Sequence, residues 1–346
     1  MTEKDFWRNS TIAVLGGGSF GTVLANLASF NCREVRLWAR NEDVVRAINA
    51  TRANPEYAPD MPLTERVHAF SDLERVFHPD GDGAGVSAVI WALPSGICRQ
   101  QAKALAPLFR GDEIILHATK GIESGTLKRI SEILREELPC PRIGVISGPN
   151  LASELARGEP AATVVASPFD EVVQAGVELL MTDKFRVYRG TDMVGVEWAG
   201  TLKNILAIAS GALDAMKFGW NARAMLITRG LAEMVRFGVA MGADQGTFLG
   251  LAGMGDLLAT CSSPLSRNYR VGARLAQGDK LATVLEELGS TAEGVRTTQS
   301  VWTFAKAHGI AMPITEGVYH LVEGHTPVQE VLKQLMSRPV RADAEI

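Results

Sequence analysis

Apolar residues are spaced along this chain in two textures. Through the first part, short runs rich in valine, isoleucine and leucine alternate with amphipathic stretches. The runs 11–15, 34–38, 88–92, 113–118 and 143–146 predict strands, and 20–29 and 126–137 predict helices between them. Strand–helix alternation of this kind predicts a parallel sheet covered by helices on both faces. Two later runs, 162–166 and 185–188, extend that sheet at one edge. Near Gly190 the texture changes to long alanine-rich segments with helical spacing: 193–216, 222–241, 266–277, 281–288, 294–308 and 314–321. The expected plan is an α/β half, residues 1–190, followed by an all-α half, residues 191–346, with the boundary at about 188–192. The last ten residues, 337–346, carry no strong pattern and read as a loose tail.

Composition narrows the class. A chain of 346 residues with 46% hydrophobic and 21% charged residues fits an ordinary globular protein with room for two cores. A net charge of -4 argues against a general nucleic-acid surface, so an anionic ligand would need a local basic pocket. The four cysteines form no CxxC pair, which predicts free thiols in a reducing compartment. The six histidines show no zinc-type spacing, so no metal is expected. Residues 1–10 do not read as a signal peptide, and no apolar run reaches the roughly 18 residues of a membrane span. The expectation is a cytoplasmic enzyme without a nucleic-acid or membrane partner.

Gly16, Gly18 and Gly21 stand in G-x-G-x-x-G spacing between an apolar strand and a helix, the context in which that spacing binds a dinucleotide. Gly16 would permit the tight turn, Gly18 the approach of the pyrophosphate, and Gly21 the helix–strand contact. The first domain is therefore expected to be a Rossmann-like NAD(P)-binding domain. At the end of the second strand, where NAD-type folds usually carry a carboxylate for the ribose, this chain has Arg40. A guanidinium there favours NADP over NAD; the alternative is that Arg40 stacks on the adenine and both cofactors bind.

In the second half, Lys203 shares a helical face with Ala199, Gly200, Leu206 and Ala207, so it either snorkels to water or occupies a tight, partly desolvated site. Asp256 follows Gly253 and Gly255, glycines that allow close backbone approach. Arg267 offers a planar fork for phosphate or carboxylate, and Ser266 and Asn268 flank it at a helix start, where Ser266 also fits a plain N-cap. Lys120 lies just past a strand, at the edge where open α/β sheets bind ligands, and Gly148 to Asn150 join a later strand to a helix.

Taken together, these motifs resemble the bacterial-type NAD(P)-dependent glycerol-3-phosphate dehydrogenases from Val14 to about Gly324. The resemblance rests on Gly16 to Gly21, Leu93 to Ser95, Lys120 to Glu123, Ser147 to Pro149, Leu202 to Asn204, Asn221 to Ala224, Thr228 to Glu233, Gly253 to Asp256, Ser263 to Asn268 and Ala292 to Arg296, in order. It implies reversible hydride transfer between NAD(P)H and dihydroxyacetone phosphate, giving sn-glycerol 3-phosphate for phospholipid synthesis. Lys203 would be the acid–base residue, assisted by Lys120, and Asp256 would either hold Lys203 or accept from a substrate hydroxyl. Substrate contacts would come from Lys120, Gly148, Asn150, Lys203, Asp256, Ser266, Arg267 and Asn268. Cofactor contacts would come from Ser19, Phe20, Arg40, Lys120, Ala152, Arg267, Thr291 and Glu293, beside the glycines. Two departures stand out: Asn150 and Leu151 replace the family's usual Ser-Phe or Thr-Phe, and Phe20 replaces a frequent Trp or Tyr. Rival readings are a 3-hydroxy acid or ketopantoate dehydrogenase of similar plan, and a non-catalytic NADP-binding sensor. The oligomeric state is open, a homodimer being one candidate.

Overall fold

A computed structural model describes residues 3–78, 85–288 and 292–339. The chain packs as two compact units: residues up to Thr119 with Ile130–Met193, and Lys120–Arg129 with the residues from Val194 onward. The first is built on strands β1 (Thr11–Leu15), β2 (Glu34–Trp38), β3 (Val67–Phe70), β4 (Ala88–Trp91), β5 (Ile114–His117), β6 (Ile143–Ser147), β7 (Ala161–Ala166) and β8 (Phe185–Gly190). They form one sheet in the order β3-β2-β1-β4-β5-β6-β7-β8, parallel throughout except for the antiparallel β6–β7 pair.

Both faces of this sheet are buried, which is why β1 reads as a continuous apolar run. Successive side chains point to opposite faces, so Ile12 and Val14 enter one core cluster and Ala13 and Leu15 the other. Helix α1 (Ser19–Ser29) follows β1 directly. The strand order reverses between β1 and β4, so the carboxyl ends of these strands flank a topological switch point, the usual ligand position in such sheets. Two expectations need correction. The sequence reading contains no β3, a short strand with a histidine in it. The helix expected over 126–137 starts only at Ile130, because Gly125 (φ 87°) and Leu127 (φ 59°) adopt left-handed backbone that ends any helix there.

The second unit is helical and includes α2 (Met193–Ala215), α3 (Trp220–Ala240), α4 (Asp256–Ser262), α5 (Arg267–Ala276), α6 (Glu293–Ala307) and α7 (Pro313–Val322). Trp198, Leu202, Leu206, Phe237, Phe248 and Val301 belong to its core. Helices α2 and α5 cross in backbone contact: a Cβ at Gly211 would lie 1.9 Å from Tyr269 O, and one at Gly272 would lie 1.8 Å from Ile208 O. That closeness fixes the first two turns of α5 against the C-terminal part of α2. The buried Glu233 on α3 accepts from Ile314 N (2.5 Å) and Thr315 N (3.1 Å), clamping the start of α7; burial pushes its carboxyl up to about 7. Among the described residues no helix is long and apolar enough to cross a membrane, and no group of three or more His, Cys, Asp or Glu is placed to hold a metal ion.

Candidate active site

The turn between β1 and α1 assigns different steric tasks to its glycines. Gly16 has φ 122°, and a Cβ there would lie 2.7 Å from Ala92 O. A Cβ at Gly21 would come within 1.9 Å of Gly16 O, so the helix can approach the turn only without one. Gly17, which stands at a variable position of that spacing, is equally confined: its Cβ would sit 2.5 Å from that of Ala39. Gly18 is different. It caps α1 in extended conformation, and a Cβ there would meet nothing within 4 Å. The first turn of α1 has no capping side chain and no acidic residue. Its first intrahelical bond runs from Thr22 N to Gly18 O, leaving the amides ahead of it without helical partners. Open space before uncapped amides and a positive dipole end fits a pyrophosphate.

This contrast is testable. Gly21→Ala should fail to give folded protein, as judged by circular dichroism and melting. Gly18→Ala should melt within a few degrees of the parent yet bind NADPH about tenfold more weakly, a loss of ~1.4 kcal/mol. Unchanged NADPH affinity in Gly18→Ala would remove the turn from the nucleotide site.

Arg40 is exposed just beyond β2 and makes no hydrogen bond or ion pair among the described residues. The neighbouring Asn41 caps the next helix by accepting from Asp43 N, so it does not engage Arg40. Tyr57 lies close enough to feel it: the Glu56 hydrogen bond raises the phenol's pKa and the Arg40 charge opposes that rise. An exposed guanidinium without a carboxylate partner beside an exposed phenol fits an adenosine phosphate. Phe20 is partly buried against the first core, and Ala152 opens a short helix, Ala152–Ala156, packed against the same core.

Gly148 and Asn150 also belong to the first unit. A Cβ on Gly148 would meet Ala162 O and Thr163 Cα at 3.0 Å. The Asn150 amide lies 2.8 Å from Thr163 Oγ1, and with its oxygen accepting there its nitrogen donates to Ala162 O at 3.1 Å. Asn150 is thus tied to the β7 backbone by the same atoms a substrate would use.

The chemical groups converge in the helical unit. Lys203 on α2 is 8% exposed, and Asp256, at the start of α4, is 3% exposed. Lys203 Nζ donates to Asp256 Oδ1 at 2.5 Å and to Thr260 Oγ1 at 2.8 Å. The lysine therefore does not snorkel to water. A buried ammonium is stable only with a counter-ion and filled donors, and Asp256 and Thr260 supply them. Thr260 was not anticipated, although its spacing of four from Asp256 on a helix places both on one face.

Lys120 reaches the same carboxylate from a different segment, its Nζ 3.7 Å from Asp256 Oδ2. Burial pulls its pKa down to about 8; Asp256 opposes that shift and Lys203 adds to it, with Glu293 a further raising influence. Among the described residues Asp256 Oδ2 has no hydrogen-bond donor, so one carboxylate oxygen holds Lys203 while the other, buried and 3.7 Å from Lys120 Nζ, has acceptor capacity left.

Helix α5 brings in the remaining groups. Ser266 is indeed its N-cap, accepting from Tyr269 N at 3.4 Å, and Arg267 is exposed at the first position. Asn268 is buried; its oxygen accepts from Gly294 N at 3.1 Å, so its amide nitrogen is the group left to offer a ligand. A Cβ at Gly294 would lie 2.7 Å from Asn268 Oδ1 and 2.8 Å from Asn204 O, so α6 can join α2 and α5 here only through a glycine. Gly253 serves the protein's own packing, since its Cβ would meet Phe248 O at 2.1 Å. Thr291 lies outside the described residues.

A doubly wound α/β unit with a glycine turn, joined to a helical unit carrying a buried lysine–aspartate pair, defines the class of two-domain nicotinamide-nucleotide dehydrogenases. The family profiles for the NAD-dependent glycerol-3-phosphate dehydrogenase N-terminus and C-terminus match residues 11–173 and 192–333, respectively. A glycerol-3-phosphate dehydrogenase (NAD(P)+) of Halorhodospira halophila is 43% identical over 335 residues, covering 96% of this chain and 98% of its own. The crystal structure of a glycerol-3-phosphate dehydrogenase from Coxiella burnetii matches with a TM-score of 0.88 and 37% identity, over 95% of this chain and 99% of the other. A ketopantoate reductase from Ralstonia eutropha matches with a TM-score of 0.59 at 18% identity over 93% of this chain and 99% of its own, a likeness of fold alone. The chain belongs to the NAD(P)-dependent glycerol-3-phosphate dehydrogenase family.

Proposed function

We propose that this protein is a glycerol-3-phosphate dehydrogenase, interconverting dihydroxyacetone phosphate and sn-glycerol 3-phosphate with NAD(P)H. The observation that carries the reading is the buried Lys203–Asp256–Thr260 group with Lys120 beside it, in a chain of this family. When bound, the dinucleotide supplies the hydride. Lys203 donates a proton to the ketone oxygen in reduction and takes it back in oxidation, a role that requires a positioned ammonium near the developing alkoxide. Lys120 adds positive charge to the same oxygen. Asp256 holds Lys203 through Oδ1 and accepts from a substrate hydroxyl through Oδ2. Arg267, Ser266 and Asn268, at the start of α5, clamp the phosphate remote from the reacting carbon and so orient it. Gly148 and Asn150 complete the proposed substrate set, with Asn150 the weaker member because its amide is engaged by β7.

The dinucleotide is held by Gly16, Gly18, Ser19, Phe20, Gly21 and Arg40, with Ala152, Lys120, Arg267, Thr291 and Glu293 as further contacts. Residues 1–190, apart from the excursion Lys120–Arg129 that packs with the helical unit, supply the nucleotide domain, and 191–346 the helical one. Arg40 favours NADP, and the phosphate clamp favours dihydroxyacetone phosphate over a 3-hydroxy acid or ketopantoate, which the fold alone allows. The four cysteines are buried free thiols, which supports a cytoplasmic location. The exposed Trp220, Met225 and Leu249 offer apolar surface of the kind a homodimer buries. Light scattering at the mass of one chain would exclude the dimer.

The direct test is loss of NADPH absorbance on adding dihydroxyacetone phosphate, with NADH and ketopantoate run in parallel. Absence of oxidation by a folded, NADPH-binding protein would sink the substrate assignment. In the same assay Arg40→Ala should raise KM for NADPH about tenfold or more and leave KM for NADH within about twofold, since a charge-assisted phosphate contact is worth ~1.5–3 kcal/mol. Equal effects on both cofactors would mean that Arg40 does not read the 2′-phosphate.

A further inference from the structure

Lys120 owes its place beside Asp256 to a short excursion of the chain, Lys120–Arg129, that packs with the helical unit. The excursion closes on itself. Ile122 and Arg129 form an antiparallel bridge, Glu123 N donates to Lys128 O at 2.9 Å, and Leu127 N donates to Glu123 O at 3.0 Å. Its two ends are tied to one face of α2. Gly121 N, adjacent to Lys120, donates to Thr201 Oγ1 at 3.2 Å, and Arg129 Nη1 donates to Glu197 Oε2 at 2.6 Å. Glu197 and Thr201 are four apart on a helix, so they form a single ridge facing the excursion. Ile122, 6% exposed, is seated in the helical core between these ties.

We infer that Glu197 and Arg129 are positioning residues for Lys120, holding the excursion on α2 so that the Lys120 ammonium stays beside Asp256. The inference rests on the proposed reaction, in which Lys120 acts on the ketone oxygen. A lysine side chain is a flexible four-carbon stem, so the place of its ammonium depends on how firmly its backbone is held. The ion pair is buried, with side chains 14% and 3% exposed. Such a pair is weak evidence for stability, because a pair of apolar residues of similar volume often replaces it without loss. What an apolar pair cannot reproduce is the directional tie between guanidinium and carboxylate. The same helix that carries Lys203 thus also fixes the segment that delivers Lys120, and both ammoniums are referred to one rigid element.

The test is a double-mutant cycle on the full-length enzyme, reading kcat with dihydroxyacetone phosphate and NADPH. Glu197→Gln should lower kcat about tenfold or more, with KM for NADPH within about twofold. In a Lys120→Ala background the same change should lower kcat by less than about twofold further, because the group it positions is gone. Full multiplication of the two effects, or normal kcat in Glu197→Gln, would overturn the inference. Loss of the Glu197 carboxylate beside Arg129 can compromise folding, so the cycle is repeated with the pair removed as Arg129→Met/Glu197→Met, folding being checked by melting. A folded pair-deleted enzyme with parental kcat also overturns it. If the parent fails to oxidise NADPH with this substrate, the proposed function falls instead.

Discussion

Lys203→Ala is expected to lower kcat for dihydroxyacetone phosphate reduction by roughly 10³–10⁴-fold, the upper range for a positioned general acid, while the Kd for NADPH changes by less than about threefold. The expectation follows from where Lys203 spends its donors. Two of its three N–H groups are committed, one to Asp256 Oδ1 at 2.5 Å and one to Thr260 Oγ1 at 2.8 Å. The third is left for the substrate oxygen, and its direction is set by the other two. Alanine removes the acid and the charge together, and it strands Asp256, which would have to be protonated or draw on Lys120 at 3.7 Å. The nucleotide turn lies in the other compact unit, so its affinity is the internal control. Stopped-flow turnover and NADPH fluorescence titration on the same preparation make the comparison. A variant within tenfold of the parent would mean that the proton comes from elsewhere, with Lys120 the next group to remove.

What the chain discloses without a structure depends on how local each constraint is. The glycine turn is legible because Gly16, Gly18 and Gly21 solve adjacent steric problems, and the structure explains two of them by contacts within the turn and with the next strand. Lys203 and Asp256 are each conspicuous, a lysine on a small-residue face and an aspartate among glycines. Their pairing is invisible because it spans 53 positions. Thr260 was hidden by being an ordinary residue in a helix. Its only signal was helical spacing from an aspartate already under suspicion. The tie from Arg129 to Glu197 spans 68 positions and joins common residue types, so nothing in either neighbourhood announces it. At Gly253 the close backbone approach that the glycines allow is made by the protein's own Phe248, a partner no local pattern names. Asn150 has partners on β7 that its sequence neighbourhood does not announce. The architecture itself was legible for a different reason: continuous apolar runs and long helical spacing mark most of the elements, whereas β3 alternates in burial and carries a histidine, so it makes no such run.

Asp256→Asn should cost the enzyme at least about 100-fold in kcat/KM for reduction, comparable with loss of a general acid–base contribution, and should move the alkaline limb of its pH profile to lower pH. Asp256 is the only carboxylate in hydrogen-bond or ion-pair contact with both ammoniums among the described residues. In the parent, burial holds Lys120 at about 8 from an ordinary 10.5, with Asp256 pulling upward, Lys203 pushing downward and Glu293 adding a weaker upward pull. With asparagine, Lys120 keeps its desolvation and the downward push of Lys203 but loses the upward pull of the Asp256 carboxylate, so its pKa must fall further. The assisting charge of Lys120 is present only while that amine is protonated, so the rate of reduction declines as Lys120 loses its proton, near pH 8 in the parent and at lower pH in the variant.

Stability carries the same sign. A lysine whose folded pKa is depressed binds fewer protons folded than unfolded between the two values. Its burial therefore costs stability in full below about pH 8, and that cost is relieved as the pH rises toward 10.5. In Asp256→Asn the relief begins at lower pH, so the variant, destabilised by ~3 kcal/mol near neutrality when a buried pair loses one partner, should recover part of that loss between pH 7 and 9 relative to the parent. Melting curves and kcat/KM measured across that range test both consequences together. An alkaline limb that stays in place, or moves upward, would show that Asp256 does not set the charge of Lys120, and would leave its Oδ2 as a substrate acceptor alone.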